Sequence, residues 1–130
     1  MTGEKILLVE DNPMNRELTI DLLEMAGYTV LQAETAEEGI ALARAERPAL
    51  ILMDISLPGM DGLNATKILK QGPGTRIIPI VALTAHAMKG DETRALAAGC
   101  DGYITKPIDT RRLPTIVARF IGQPQRSLKL

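Results

Sequence analysis

At 130 residues, 45% apolar and 24% charged, the chain can bury one core of ordinary size and has no room for a second. A formal net charge of −1 supplies no basic stripe to neutralise successive phosphates, so no nucleic acid is expected as a partner. The N-terminal apolar run Ile6-Leu7-Leu8-Val9 is far shorter than a signal-peptide core or a membrane span, which argues against membrane insertion and for a cytoplasmic protein.

In chain order, apolar runs too short for helices alternate with segments of helical period. Ile6-Leu7-Leu8-Val9 reads as a strand that ends in Glu10-Asp11. A helix is expected over residues 14–26, with Leu18, Leu22, Met25 and Ala26 on one stripe and Gly27 closing it. The second strand spans 28–33, and Thr35-Ala36-Glu37-Glu38 opens the second helix as a capping box. The third strand, 49–54, is the run Ala49-Leu50-Ile51-Leu52-Met53 closed by Asp54. Asp61-Gly62 reads as a turn and helix start, and that helix runs to residue 70. A fourth strand over 77–83 ends at Thr84, and a fourth helix over 89–98 stops at Gly99. The fifth strand, 102–104, leads through Thr105 into Lys106. Asp109 is a good helix cap, but Pro114 cannot sit deep inside a helix, so regular helix is expected to begin near Pro114.

Five βα units imply an α/β domain with a parallel sheet, right-handed crossovers and helices on both faces. Ligands of such sheets bind beyond the carboxyl ends of the strands, where Asp11, Asp54, Thr84 and Lys106 would converge. Two carboxylates 4 Å apart repel by roughly 4 kcal/mol at an effective dielectric of 20, so a proton or a divalent cation must offset them. Ligands that are all oxygen select a hard ion, and Mg2+ fits best because it accepts carboxylates together with water and phosphate oxygens. Lys106 adds a positive charge and Thr84 a hydroxyl, the parts needed to hold a phosphoryl group. Each residue has a plainer explanation: Asp11 as part of a helix cap, Glu10 as a solvated strand end, Thr84 as a β-branched strand residue, Lys106 as the start of a proline-marked loop. Those explanations do not predict that all the reactive termini share one edge. Cys100, the single cysteine, excludes an internal disulfide and reads as a small buried hydrophobe.

Four motifs in order carry a resemblance: Leu8-Val9-Glu10-Asp11-Asn12, the run from Met53-Asp54 to Asp61-Gly62, Ala82-Leu83-Thr84-Ala85, and Lys106-Pro107. Over about residues 5–121 the chain resembles the response-regulator receiver domains of two-component signalling. The resemblance implies a flavodoxin-like, doubly wound, five-stranded parallel sheet of order 2-1-3-4-5 with five helices. That order is the one known for the fold, and periodicity does not supply it. It further implies that Asp54 is the nucleophile, taking a phosphoryl group from a phosphohistidine. Asp11 and Asp54 would bind Mg2+ directly, the backbone carbonyl of Ser56 would be a third ligand, and Glu10 would act through water. Lys106 and Thr84 would hold phosphoryl oxygens, and a cis peptide before Pro107 would aim the lysine. Tyr103 matches the aromatic switch position that follows Thr84 inward. His86 and Ser56 flank the path of attacking water and would tune dephosphorylation.

The resemblance thus implies a signalling receiver that catalyses only its own phosphorylation and dephosphorylation. Residues 1–121 would form the receiver domain and 122–130 a short tail without an output domain. A sensor histidine kinase or histidine phosphotransfer protein would be one partner, docking on the first helix near residues 13–16 and on the loop after Lys106. A downstream protein would be another, with the chain itself a monomer or weak dimer. A degenerate receiver acting only as a docking module is the alternative. An aspartyl phosphatase usually carries a second carboxylate two residues after the nucleophile, where Ser56 stands. A nucleotide-binding module would need a Gly-rich phosphate loop, and no such pattern follows any strand.

Overall fold

The computed structural model describes residues 4–55, 57, 61–84, 89–106 and 108–122. The elements alternate throughout: β1 (Lys5–Val9), α1 (Pro13–Met25), β2 (Thr29–Ala33), α2 (Ala36–Glu46), β3 (Leu50–Asp54), α3 (Gly62–Gln71), β4 (Ile80–Thr84), α4 (Lys89–Ala98), β5 (Gly102–Thr105) and α5 (Leu113–Gly122). The strands form one parallel sheet in the order β2-β1-β3-β4-β5. That is the flavodoxin-like order expected from the resemblance.

The unbroken apolar runs follow from burial on both faces, because side chains alternate along a strand while both sides are covered by helices. In β3, Ile51 and Met53 enter one core with Ile40, Leu63, Leu69 and Ala95 from α2, α3 and α4. Leu50 and Leu52 enter the other, with Leu23 of α1 and Leu113 and Val117 of α5. All five residues of β3 and of β4 are buried, whereas the edge strands β2 and β5 are mixed. Burying a Leu or Ile side chain contributes about 1.5–3 kcal/mol, so the two cores together hold the sheet between both helix layers.

Most of the punctuation stands where expected. Gly27 and Gly99 have positive φ, the left-handed conformation that ends α1 and α4. Asp61 caps α3 by accepting from Asn64 N at 2.8 Å, and α5 begins at Leu113 with Pro114 in its first turn, where a missing N–H costs nothing. At α2, Thr35 Oγ1 accepts from Glu38 N at 3.1 Å, but the Glu38 carboxylate reaches Glu34 N at 2.8 Å, one residue ahead of the cap.

Two expectations need correction. The α1 stripe is rotated: Leu18 and Met25 face solvent, and Thr19 and Leu23 are the buried residues, with Leu22 packed at the margin. Helical period alone does not say which of two adjacent apolar lines meets the sheet. The fourth strand starts at Ile80 and includes Thr84, because residues 72–78 are tied into turns and Ile77 is exposed. Asp101 Oδ2 accepts from Ile80 N at 2.9 Å and from Lys70 Nζ at 3.0 Å, which closes the lower end of β4 with charge before pairing begins.

Cys100 is buried beside Thr66, and burial pushes its thiol above the ordinary range. Its thiolate fraction at neutral pH is therefore below that of a free cysteine. Labelling with iodoacetamide should be at least about tenfold slower in the native protein than in urea; equal rates would show that this pole of the core is open.

Candidate functional site

The carboxyl edge is held by a backbone ladder that continues past the strands. Glu10 N donates to Ala33 O at 3.0 Å, Ile55 N to Leu83 O at 3.1 Å, and Lys106 N to Thr84 O at 2.7 Å. The residue after β1, the end of β3, the end of β4 and the residue after β5 are thus set in one row. Strand register puts Asp54 beside Leu83 and Thr84 beside Thr105.

Along that row the structure gathers Glu10, Asp11 and Asp54, each offering a carboxylate oxygen within 4.8 Å of the others. Glu10 and Asp54 are almost fully buried, at 1% and 3% exposure, while Asp11 is exposed. Lys106 answers the charge: its Nζ lies 3.1 Å from Asp54 Oδ2 and 2.9 Å from Glu10 Oε1. The directed hydrogen bond goes to Asp54; Glu10 Oε1 receives no well-angled bond from the described residues, so that contact is one of charge. Glu10 Oε2 accepts from Asn12 N at 3.2 Å.

Burial pushes the Glu10 carboxyl above the ordinary glutamate value; Lys106 pulls it back, and the charge of Asp54 pushes it up again. Burial pulls the Lys106 ammonium down, but the nearby Glu10 and Asp54 carboxylates outweigh that and its pKa ends raised. The two directions agree physically: one ammonium stands between two buried carboxylates, with the exposed Asp11 beside them. A hard divalent cation fits this donor set, because the ligand atoms are all carboxylate oxygens, and Glu10 Oε1 is buried without a directed partner among the described residues.

Thr84 is buried at the end of β4. Tyr103 pairs with Ala82, two residues before Thr84, so strand alternation turns Tyr103 and Thr84 to the same face of the sheet. The Tyr103 side chain is 39% exposed and borders a cleft of about 240 Å³ with Ile108, Arg112 and Ile116 of the α5 side. Of the expected site residues, Glu10, Asp11, Asp54, Thr84 and Lys106 are brought to one edge; Ser56, His86 and Pro107 lie outside the described residues.

Sequence reading missed two neighbours. Gly62, taken only as a turn and helix-start residue, lies against the end of β3: a Cβ there would be 2.2 Å from Asp54 O and 2.9 Å from Ile55 Cα. No pattern of residue types announces such a close approach. Arg16, placed by the sequence only within the expected docking stretch 13–16, reaches back to Glu10 O at 2.9 Å.

Comparison with known proteins bears directly on this edge. Residues 6–118 match the family described as the response regulator receiver domain. The chain is similar to the polar-differentiation response regulator DivK of Brucella anthropi, 44% identical over 119 residues, covering 92% of this chain and 97% of that protein. Among solved structures it is similar to the receiver domain of the sensor histidine kinase PA1611 from Pseudomonas aeruginosa, with a magnesium ion coordinated in the active-site cleft. That match has a TM-score of 0.88 and 38% identity, covering 94% of this chain and 100% of the other. The chemotaxis response regulator CheY4 of Vibrio cholerae matches with a TM-score of 0.86 and 28% identity, covering 92% of this chain and 99% of the other.

Two outcomes follow from the geometry. Gly62→Ala should lower stability in urea by about 3 kcal/mol, since the new Cβ meets backbone that no rotamer change can move; a loss below about 0.5 kcal/mol would contradict the close approach. In EDTA, Asp54→Asn should be more stable than the unaltered protein by on the order of 1 kcal/mol, because one repelling charge is gone. Mg2+ at about a hundred times its dissociation constant should stabilise the unaltered protein by about 2.7 kcal/mol and the variant much less. Equal thermal shifts would count against a cation at these carboxylates.

Proposed function

The chain belongs to the response regulator receiver family of two-component signalling, and on that premise we propose that Asp54 accepts a phosphoryl group from a phosphohistidine of a partner protein. The observation that carries this reading is the meeting of three carboxylates with one ammonium at a single sheet edge. Receiver domains bind Mg2+ at an acidic pocket and interact with histidine kinases and downstream proteins. In this chain Asp11, Asp54 and the backbone carbonyl of Ser56 would hold the ion, with Glu10 acting through water. Bound there, Mg2+ supplies positive charge for the phosphoryl oxygens.

The chain's own residues do the rest. A carboxylate oxygen of Asp54 attacks phosphorus, the phosphorus–nitrogen bond to the imidazole breaks, and the imidazole leaves with the electron pair and takes up a proton. Burial keeps Asp54 largely out of bulk water, so its charge is met by Lys106 and not by solvent. Lys106, now on Asp54 and Glu10, exchanges one carboxylate for a phosphoryl oxygen and keeps its charge at the place where negative charge grows. The Thr84 hydroxyl donates to a second phosphoryl oxygen, and His86 and Ser56 tune the later attack of water.

Signalling follows from the same face. Drawing the Thr84 hydroxyl to the phosphoryl group leaves room behind it, and Tyr103, on the same face and partly exposed, turns inward to fill it. For the phosphodonor, the exposed Met14 and Leu18 at the rim end of α1 offer an apolar seat beside the acceptor for a helix that bears histidine.

Incubation with acetyl phosphate and Mg2+, followed by intact mass, tests the reading. One phosphoryl group per chain, stable in acid, labile in alkali and absent in Asp54→Asn, is the expected outcome. His86→Ala should change the lifetime of that adduct more than its rate of formation, and the adduct should bury Tyr103 further. An unmodified mass at saturating donor and Mg2+ would leave a docking module without phosphoryl chemistry.

A further inference from the structure

The turn between β1 and α1 supplies two of the three clustered carboxylates, and one side chain of α1 reaches back over it. Arg16 Nη1 donates to the Glu10 carbonyl at 2.9 Å, while Nη2 lies 3.5 Å from Glu34 Oε2 just ahead of α2. The Arg16 side chain is 14% exposed and that of Glu34 is 68% exposed, so the guanidinium is held under the surface while its acidic partner stands in water. Arginines on an outer helix face ordinarily keep the charged head solvated. Here two arms of the planar fork join the β1–α1 turn to the segment that starts α2.

The carbonyl that Arg16 grips belongs to the peptide between Glu10 and Asp11. Holding that oxygen fixes the rotation of the peptide from which the Asp11 side chain departs. The Glu10 carboxylate has its own restraints, Asn12 N at 3.2 Å and the Lys106 ammonium at 2.9 Å. The Asp11 carboxylate is exposed, so its backbone sets where it points.

We propose that Arg16 is a positioning residue for the cation site: by clamping the Glu10–Asp11 peptide it presents the Asp11 carboxylate to the same ion as Asp54 and so sets Mg2+ affinity. The inference rests on the reading of the acidic cluster as a Mg2+ site. Two effects oppose each other at this residue. The charge of a nearby guanidinium repels a divalent cation, so its removal by itself would tighten binding. Loss of the clamp frees Asp11 and weakens binding. The clamp dominates, because a ligand set loses affinity steeply when one member is no longer held in place.

Titration of Mg2+ into the metal-free full chain, followed by calorimetry, separates the two. Arg16→Gln should raise the dissociation constant about tenfold although it removes a positive charge. Arg16→Lys keeps the charge but not the fork, and should also weaken binding, by about three- to tenfold. Glu34→Gln should change it by less than about threefold, since that arm of the fork ends in solvent. With acetyl phosphate as donor, the Mg2+ concentration for half-maximal phosphorylation of Asp54 should rise by the same factor in each variant, with the rate at saturating Mg2+ within about twofold of the unaltered chain; a general loss of folding would lower that rate instead. Binding by Arg16→Gln as tight as in the unaltered protein or tighter, or an Arg16→Lys variant equal to it, would overturn the proposal. If Arg16→Gln does not fold, Arg16→Lys decides alone. An unaltered chain that shows no Mg2+ binding, like Asp54→Asn, would overturn the cation site itself and this inference with it.

Discussion

Repulsion among buried carboxylates is the constraint around which this molecule is arranged. Glu10 and Asp54 are withdrawn from water beside Asp11, and such a grouping costs several kcal/mol unless positive charge meets it. Lys106 supplies that charge from the far side of the sheet, across the end of β4. Neither partner is at rest alone: the lysine is raised by the acids, and Glu10 is raised by burial despite the lysine. A cluster of net negative charge held this way suits a hard cation.

The sheet makes that arrangement affordable in structural terms. Apolar runs buried on both faces give β3 and β4 no freedom to slide, since a shift of one residue would exchange the two cores. Their ends are therefore fixed relative to one another, and the ladder bonds from Ile55 and Lys106 carry the order past the last strand residue. β1 and β3 lie side by side while the chain departs from them in opposite directions, to β2 and to β4. This crevice is where a parallel sheet of the type leaves room for a ligand, and the acids of β1 and β3 stand at its mouth.

The neighbouring half of the same edge carries Thr84 and Tyr103. Thr84 closes the acidic edge from β4, and Tyr103 stands on the adjacent edge strand, on the same face and partly in solvent. Edge strands can repack at low cost because only one neighbour binds them, whereas β3 cannot move without disturbing both layers. Asp54 and Tyr103 thus stand on strands that the sheet holds from two sides and from one.

Much of this was legible in the chain itself. Short apolar runs ending in Glu10-Asp11, Asp54, Thr84 and Lys106 imply strands that deliver polar groups to one edge, because burial on two faces forces a run without polar interruptions. Gly27, Gly99, Asp61 and Pro114 mark boundaries through local backbone chemistry, which a sequence carries in full. Only the tertiary structure decided which apolar line of α1 meets the sheet, that β4 begins after the Lys70–Asp101 contact, that Gly62 touches the backbone of Asp54, and that Arg16 turns back to Glu10. Those four depend on how a helix or a turn is set against the strand or segment it meets. Periodicity and residue type describe a segment's own preferences, and that setting arises only when the segments are packed together.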